Sequence, residues 1–132
     1  MGNIEKIFDS NDARSFSHRR LPKLIYDFIE GATGREIASK GNVTAFDEVK
    51  LLPRALVDVS ERSLTTSFMG NYYSQPFGIA PMGMCNLSYP NADILMAKAA
   101  KKNNFPHGIA TATSTGLAEV HVVGGDNSWF QL

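Results

Sequence analysis

The sequence predicts an α/β protein in which helices and a hairpin lead into parallel strands. From Pro76 onward, short apolar runs centred on Ile79, Ile109 and Phe130 lie about 21 to 30 residues apart, enough for a crossover helix and too far for a hairpin. Before Pro53 the apolar residues follow a helical period instead. Parallel strands need both faces covered, and the chain reaches its third strand at its last residues, so the sheet reads as unfinished.

The elements follow in order. Residues 3–20 read as a helical arm, with Ile4, Ile7 and Phe8 on one stripe and Ser10, Asn11 and Asp12 offering a break and an N-cap. Pro22 suits a first helical turn, and Leu24, Ile25, Phe28 and Ile29 make the next segment amphipathic up to Gly31 and Gly34. A further helix is predicted from about Arg35 to Glu48, weakened by Gly41 and burying Ile37, Val43 and Phe46. Ala55–Val59 then reads as a short strand, and the runs 64–69 and 72–75 flank Gly70-Asn71 as a tight hairpin. Phe77–Ala80 is a strand, 92–104 a helix, His107–Ala112 a strand and Leu117–Val123 a helix ended by Gly124-Gly125. Trp129–Leu132 begins another strand.

Composition excludes several classes of function. With 13 basic against 13 acidic side chains, the chain has no electrostatic footprint for a nucleic acid. Its one cysteine, Cys85, has no partner for an internal disulfide, and no Cys/His cluster has metal-ligand spacing. Glu5, Lys6 and Asp9 spoil any signal-peptide core, and no apolar run approaches the roughly 18 residues of a spanning helix, so a cytoplasmic location is expected.

Several ordered motifs carry more. They are Leu21-Pro22-Lys23-Leu24-Ile25-Tyr26-Asp27-Phe28-Ile29-Glu30-Gly31-Ala32, Pro53-Arg54-Ala55-Leu56-Val57-Asp58-Val59-Ser60 and Gly78-Ile79-Ala80-Pro81-Met82-Gly83. Ala97-Lys98-Ala99-Ala100, Ala112-Thr113-Ser114-Thr115 and Trp129-Phe130-Gln131-Leu132 follow. From about residue 18 to the end this succession resembles the FMN-dependent α-hydroxy-acid dehydrogenases and oxidases. The resemblance implies a TIM (β/α)8 barrel, incomplete here, since about eight units need roughly 250 residues. Residues 1–75 would be the helical and hairpin lead-in, and 76–132 the first β/α units.

The resemblance also implies roles. Tyr26 matches the tyrosine that hydrogen-bonds the substrate carboxylate; on burial statistics alone it reads as a packing aromatic. Ala80, Pro81, Met82 and Gly83 match the backbone that lies along the flavin ring, at the strand end where barrel sites assemble. Gln131 matches the glutamine on the flavin's pyrimidine edge, and Thr111 a hydroxyl residue beside the flavin. Ala110 stands where many members have a serine, which removes one hydrogen bond to the ring system. The base histidine, the carboxylate-binding arginines, the flavin-contacting lysine and the phosphate loops have no match, so no catalytic residue is assigned within this chain.

His18, His107 and His121 read as surface or packing residues rather than as the base, and Cys85 as a small buried hydrophobe. The expected activity is FMN-dependent oxidation of a small 2-hydroxy acid to a 2-oxo acid by a homo-oligomeric whole protein, of which this chain is an N-terminal part, inactive alone. Membrane attachment is left open. The competing reading is a short interaction module, or a half-barrel that completes its sheet against a partner chain.

Overall fold

The computed structural model describes residues 7–132 and divides into two compact units, 1–57 and 58–132. Three helices make the first. Helix α1, Ser10–Arg20, is opened by Asp9, whose carboxylate accepts the Asp12 N–H at 2.8 Å, while Asp12 accepts the Phe8 N–H at 3.1 Å. That reciprocal cap puts the start before the predicted Ser10–Asp12 break. Phe8 is thus outside the helix and largely exposed, and Ile4 lies outside the described residues.

Helix α2, Lys23–Glu30, begins after Pro22, whose carbonyl accepts the Ile25 and Tyr26 N–H groups. Gly31 closes it, its N–H donating to the Asp27 carbonyl at 2.9 Å. An Arg14–Glu30 ion pair joins α1 to α2. Helix α3, Ile37–Glu48, tolerates Gly41 but buries nothing: Ile37, Val43 and Phe46 are exposed, contrary to the predicted packing face. Among the described residues those side chains stay open to solvent. The expected strand at Ala55–Val59 is also absent. Leu56 has φ +58°, which breaks an extended run, and among the described residues no strand pairs with the segment.

The second unit opens with the predicted hairpin, β1 Thr66–Phe68 and β2 Asn71–Tyr73, in antiparallel register. Its turn is Met69-Gly70, one residue earlier than the sequence suggested. Both residues have positive φ, +48° and +81°, as a two-residue hairpin turn demands, so Asn71 is released into β2. Helix α4, Ala92–Asn103, carries Asp93 in its first turn and Lys101 and Lys102 in its last, signs that suit the helix dipole. Strand β3, His107–Ile109, helix α5, Leu117–Gly124, and strand β4, Ser128–Phe130, complete the unit.

Strands β3 and β4 run parallel, with His107 opposite Ser128 and Ile109 opposite Phe130. The run around Ile79 joins the other side of β3 through a single parallel bridge, Ile79 to His107, so the predicted Phe77–Ala80 strand is shorter than expected. The parallel order Ile79, β3, β4 follows the chain. Ala97, Ile109 and Val120 form the buried cluster between sheet and helices, with Ile94 and Val123 packed against it. Small residues let α4 and α5 approach closely: Ala97 and Ala100 are fully buried, and Gly124 faces Ala97 and Ser128 where a Cβ would not fit.

Candidate functional site

The C-terminal ends of the three parallel runs meet in one rim. The Gly108 N–H donates to the Ile79 carbonyl at 2.8 Å, and the Gln131 N–H donates to the Ile109 carbonyl at 2.9 Å. One step further, the Thr111 hydroxyl donates to the Gln131 carbonyl at 2.8 Å, and the Met84 N–H donates to the Ala112 carbonyl at 2.9 Å. Ala80, Pro81, Met82, Gly83, Thr111 and Gln131, scattered over 52 positions of sequence, therefore share one edge of the unit.

Glycine makes this closeness possible. A Cβ on Gly108 would lie 2.7 Å from the Pro81 ring and 2.8 Å from its backbone nitrogen, and one on Gly83 would lie 3.2 Å from the Ala112 methyl. An open cavity of about 400 Å³ runs along the sheet from Gly78 and Pro106 at the strand beginnings, past Gly108 and Trp129, to Pro81 and Gln131 at the rim. Its wall is largely apolar, and Gln131 is one of the residues that line it. That side chain makes no hydrogen bond among the described residues, so its donors and acceptor are available. Below, Trp129 is held by the hairpin: its indole N–H donates to the Tyr73 hydroxyl at 3.0 Å, and Phe68 stacks on it at 5.2 Å.

Tyr26 belongs to the first unit. It is half-buried on α2, with the His18 ring edge-on at 4.8 Å. His18 and His121 are exposed. His107 is buried, and its Nδ1 has no hydrogen-bond partner among the described groups; burial pushes its pKa down, against an opposing pull from Asp93. Cys85 is half-buried rather than buried, its thiol directed at the Met82 carbonyl at 3.3 Å, and burial and then Asp93 push its pKa up. No group of three potential metal ligands occurs among the described residues, and no helix among them is long and apolar enough to cross a membrane.

The model of the family described as FMN-dependent dehydrogenase matches residues 17–132. The chain belongs to this family. Among curated relatives, it is 34% identical over 128 residues to the (S)-mandelate dehydrogenase of Pseudomonas putida, covering 97% of this chain and 33% of that protein. The L-lactate dehydrogenase of Xanthobacter autotrophicus is 30% identical over 126 residues, 96% of this chain and 32% of its own length. Among solved structures, a soluble mutant of the membrane-associated (S)-mandelate dehydrogenase from Pseudomonas putida superposes with a TM-score of 0.88 at 34% identity. That match covers 96% of this chain and 36% of the other. Mandelate oxidase gives 0.85 at 32% identity, over 92% of this chain and 35% of its own. The chain thus spans about a third of the length of the relatives it matches.

Membership in the FMN-dependent dehydrogenases agrees with the resemblance read from the motifs. Sequence reasoning missed the polar network behind the rim, in which Asp93, Asn86, Ser114 and Thr115 are joined. Asp93 reads in sequence as an ordinary helix-opening acid; only its burial at 3% exposure distinguishes it.

Proposed function

We infer that this chain supplies the N-terminal third of an FMN-dependent enzyme that oxidises a 2-hydroxy acid to a 2-oxo acid. The observation that carries the reading is the convergence of Ala80–Gly83, Thr111 and Gln131 on one rim, within a family match that runs along nearly the whole chain. In this reading residues 1–75 lead into a (β/α)8 barrel, and 76–132 supply its first β/α units. The whole protein would assemble as a homo-oligomer on the cytoplasmic side, free or peripherally attached to a membrane.

The rim suits a flavin physically. A planar ring system needs a flat wall without side chains, which glycine and proline backbone at 81–83 and Gly108 would give, and an edge of donors and acceptors, which the Gln131 amide would give. The Thr111 donor is engaged by the Gln131 carbonyl, leaving its oxygen as an acceptor and the Gln131 backbone fixed. Bound FMN supplies the hydride acceptor for carbon 2 of the substrate. Tyr26 would donate its phenol proton in a hydrogen bond to the substrate carboxylate, orienting it without altering the charge. The exposed or buried positions of His18, His107 and His121 fit packing and surface roles, so the base would come from elsewhere in the whole protein.

The experiment joins this chain to the remaining two thirds of the Pseudomonas putida (S)-mandelate dehydrogenase. The hybrid is expected to purify yellow and to oxidise mandelate, with Tyr26→Phe raising KM about tenfold through loss of one hydrogen bond to a charged group. A folded hybrid that holds no flavin would refute the reading of the rim. A yellow hybrid indifferent to Tyr26→Phe would refute the role of Tyr26.

A further inference from the structure

Asp93 stands in the first turn of α4 and is 3% exposed. An acid that served only the helix dipole needs no burial, and burying one is unfavourable unless its oxygens find donors. Asp93 finds its donor outside the helix. Its Oδ2 accepts the Ser114 N–H at 3.0 Å, in the turn after β3. Its own N–H donates to Asn86 Oδ1 at 3.4 Å, and Asn86 Nδ2 donates to the Thr115 hydroxyl at 3.1 Å. Three pieces of chain are thereby closed into a ring: the start of α4, the turn at 85–87 and the turn at 111–115.

The turn at 111–115 is then held from two sides. Asp93 and Asn86 hold Ser114 and Thr115, and the Met84 N–H holds the Ala112 carbonyl at 2.9 Å. Thr111 leads that turn, and Gly83 sits against Ala112. Ser114 is itself exposed, and its amide proton is held by the Asp93 carboxylate.

We propose that Asp93 is a positioning residue for the flavin-facing rim: its buried carboxylate clips the 111–115 turn to the start of α4, which its own N–H ties to Asn86, and the carboxylate so sets the spacing of Thr111 from Gly83. The proposal rests on the reading of that rim as a flavin cradle. Asp93 hydrogen-bonds none of the rim residues and acts through the Ser114 amide. The charge matters, because a bond to an ionised acceptor is about twice as strong as one to a neutral amide.

The test uses the flavin-stripped, 15N-labelled hybrid of this chain with the remaining two thirds of the Pseudomonas putida (S)-mandelate dehydrogenase, and its Asp93→Asn, Asp93→Glu and Asn86→Ala variants. Hydrogen exchange is followed at Ser114, with Val120 in the core as the reference for global opening. FMN is then titrated in and the amide shifts of Gly83 and Thr111 are read. In Asp93→Asn, Ser114 exchange is expected to accelerate about tenfold relative to Val120. The FMN-induced shift at Thr111 should fall about threefold at fixed FMN, and Asp93→Glu should recover part of both. Equal acceleration of Ser114 and Val120 would make Asp93 merely structural and overturn the proposal. Wild-type-like FMN shifts in Asp93→Asn would overturn it alone, whereas a wild-type hybrid that takes up FMN without rim shifts would overturn the cradle reading beneath it. Should Asp93→Asn fail to fold, Asn86→Ala opens the same ring from the other side and carries the same expectations and refutations.

Discussion

Replacing Gly108 by alanine tests how tightly the 79–82 run is seated on β3. The new Cβ would lie 2.7 Å from Pro81 Cδ and 2.8 Å from Pro81 N, where carbon contacts normally settle near 3.5–4.0 Å. Neither atom can rotate away, because both belong to a ring fused to the backbone. The 79–82 run must therefore move by about 1 Å, which strains the 2.8 Å bond from the Gly108 N–H to the Ile79 carbonyl. Overpacking of this kind costs about 1–3 kcal/mol and the hydrogen bond about 1 kcal/mol. The lower entropy of the unfolded alanine chain returns about 0.4–1 kcal/mol. The net loss is about 2 kcal/mol, seen in urea unfolding as a midpoint lowered by about 1 M. Gly83→Ala, whose Cβ meets Ala112 at 3.2–3.3 Å, should cost less than half as much. An unchanged midpoint for Gly108→Ala would refute the close seating of Pro81 on β3.

Two further outcomes follow from the second unit. Burial holds His107 below the ordinary histidine value of about 6.5, so as pH falls the unfolded chain takes up the proton first. Stability should decline from about pH 6.5 down to the lowered native pKa and level off below it, and His107→Gln should flatten that slope in pH-dependent urea titrations; an identical slope in the variant would contradict the assignment. Tyr73→Phe removes the acceptor of the Trp129 indole at 3.0 Å and should cost about 1 kcal/mol with a shift in tryptophan emission, neither of which would appear if the hairpin did not hold Trp129.

Much of this chain was legible because local chemistry and tertiary structure agree. Pro22 and Gly31 bracket α2, the lysine-rich face of α4 follows its helical period, and the long spacing of the apolar runs required parallel pairing, which β3 and β4 adopt. Where partners were needed, sequence said less. Among the described residues the Ala55–Val59 run, with the composition of a strand, has no strand to pair with, and Ile37, Val43 and Phe46, burial-prone in composition, stay exposed. The hairpin turn moved by one residue because Met69 accepts a left-handed backbone, which no composition rule favours. The rim residues were named from motifs, but their meeting depends on Gly108 and Gly83 being small where segments distant in sequence cross, which no local pattern records.

Ala80–Gly83, Thr111 and Gln131 are read as one face for a flavin, and FMN titrated into the flavin-stripped, 15N-labelled hybrid with the Pseudomonas putida enzyme maps the backbone amides that respond. Shifts are expected to concentrate at Gly83, Thr111 and Gln131 and to weaken in Gln131→Ala. A hybrid that takes up FMN with its shifts confined to the first unit would refute that face.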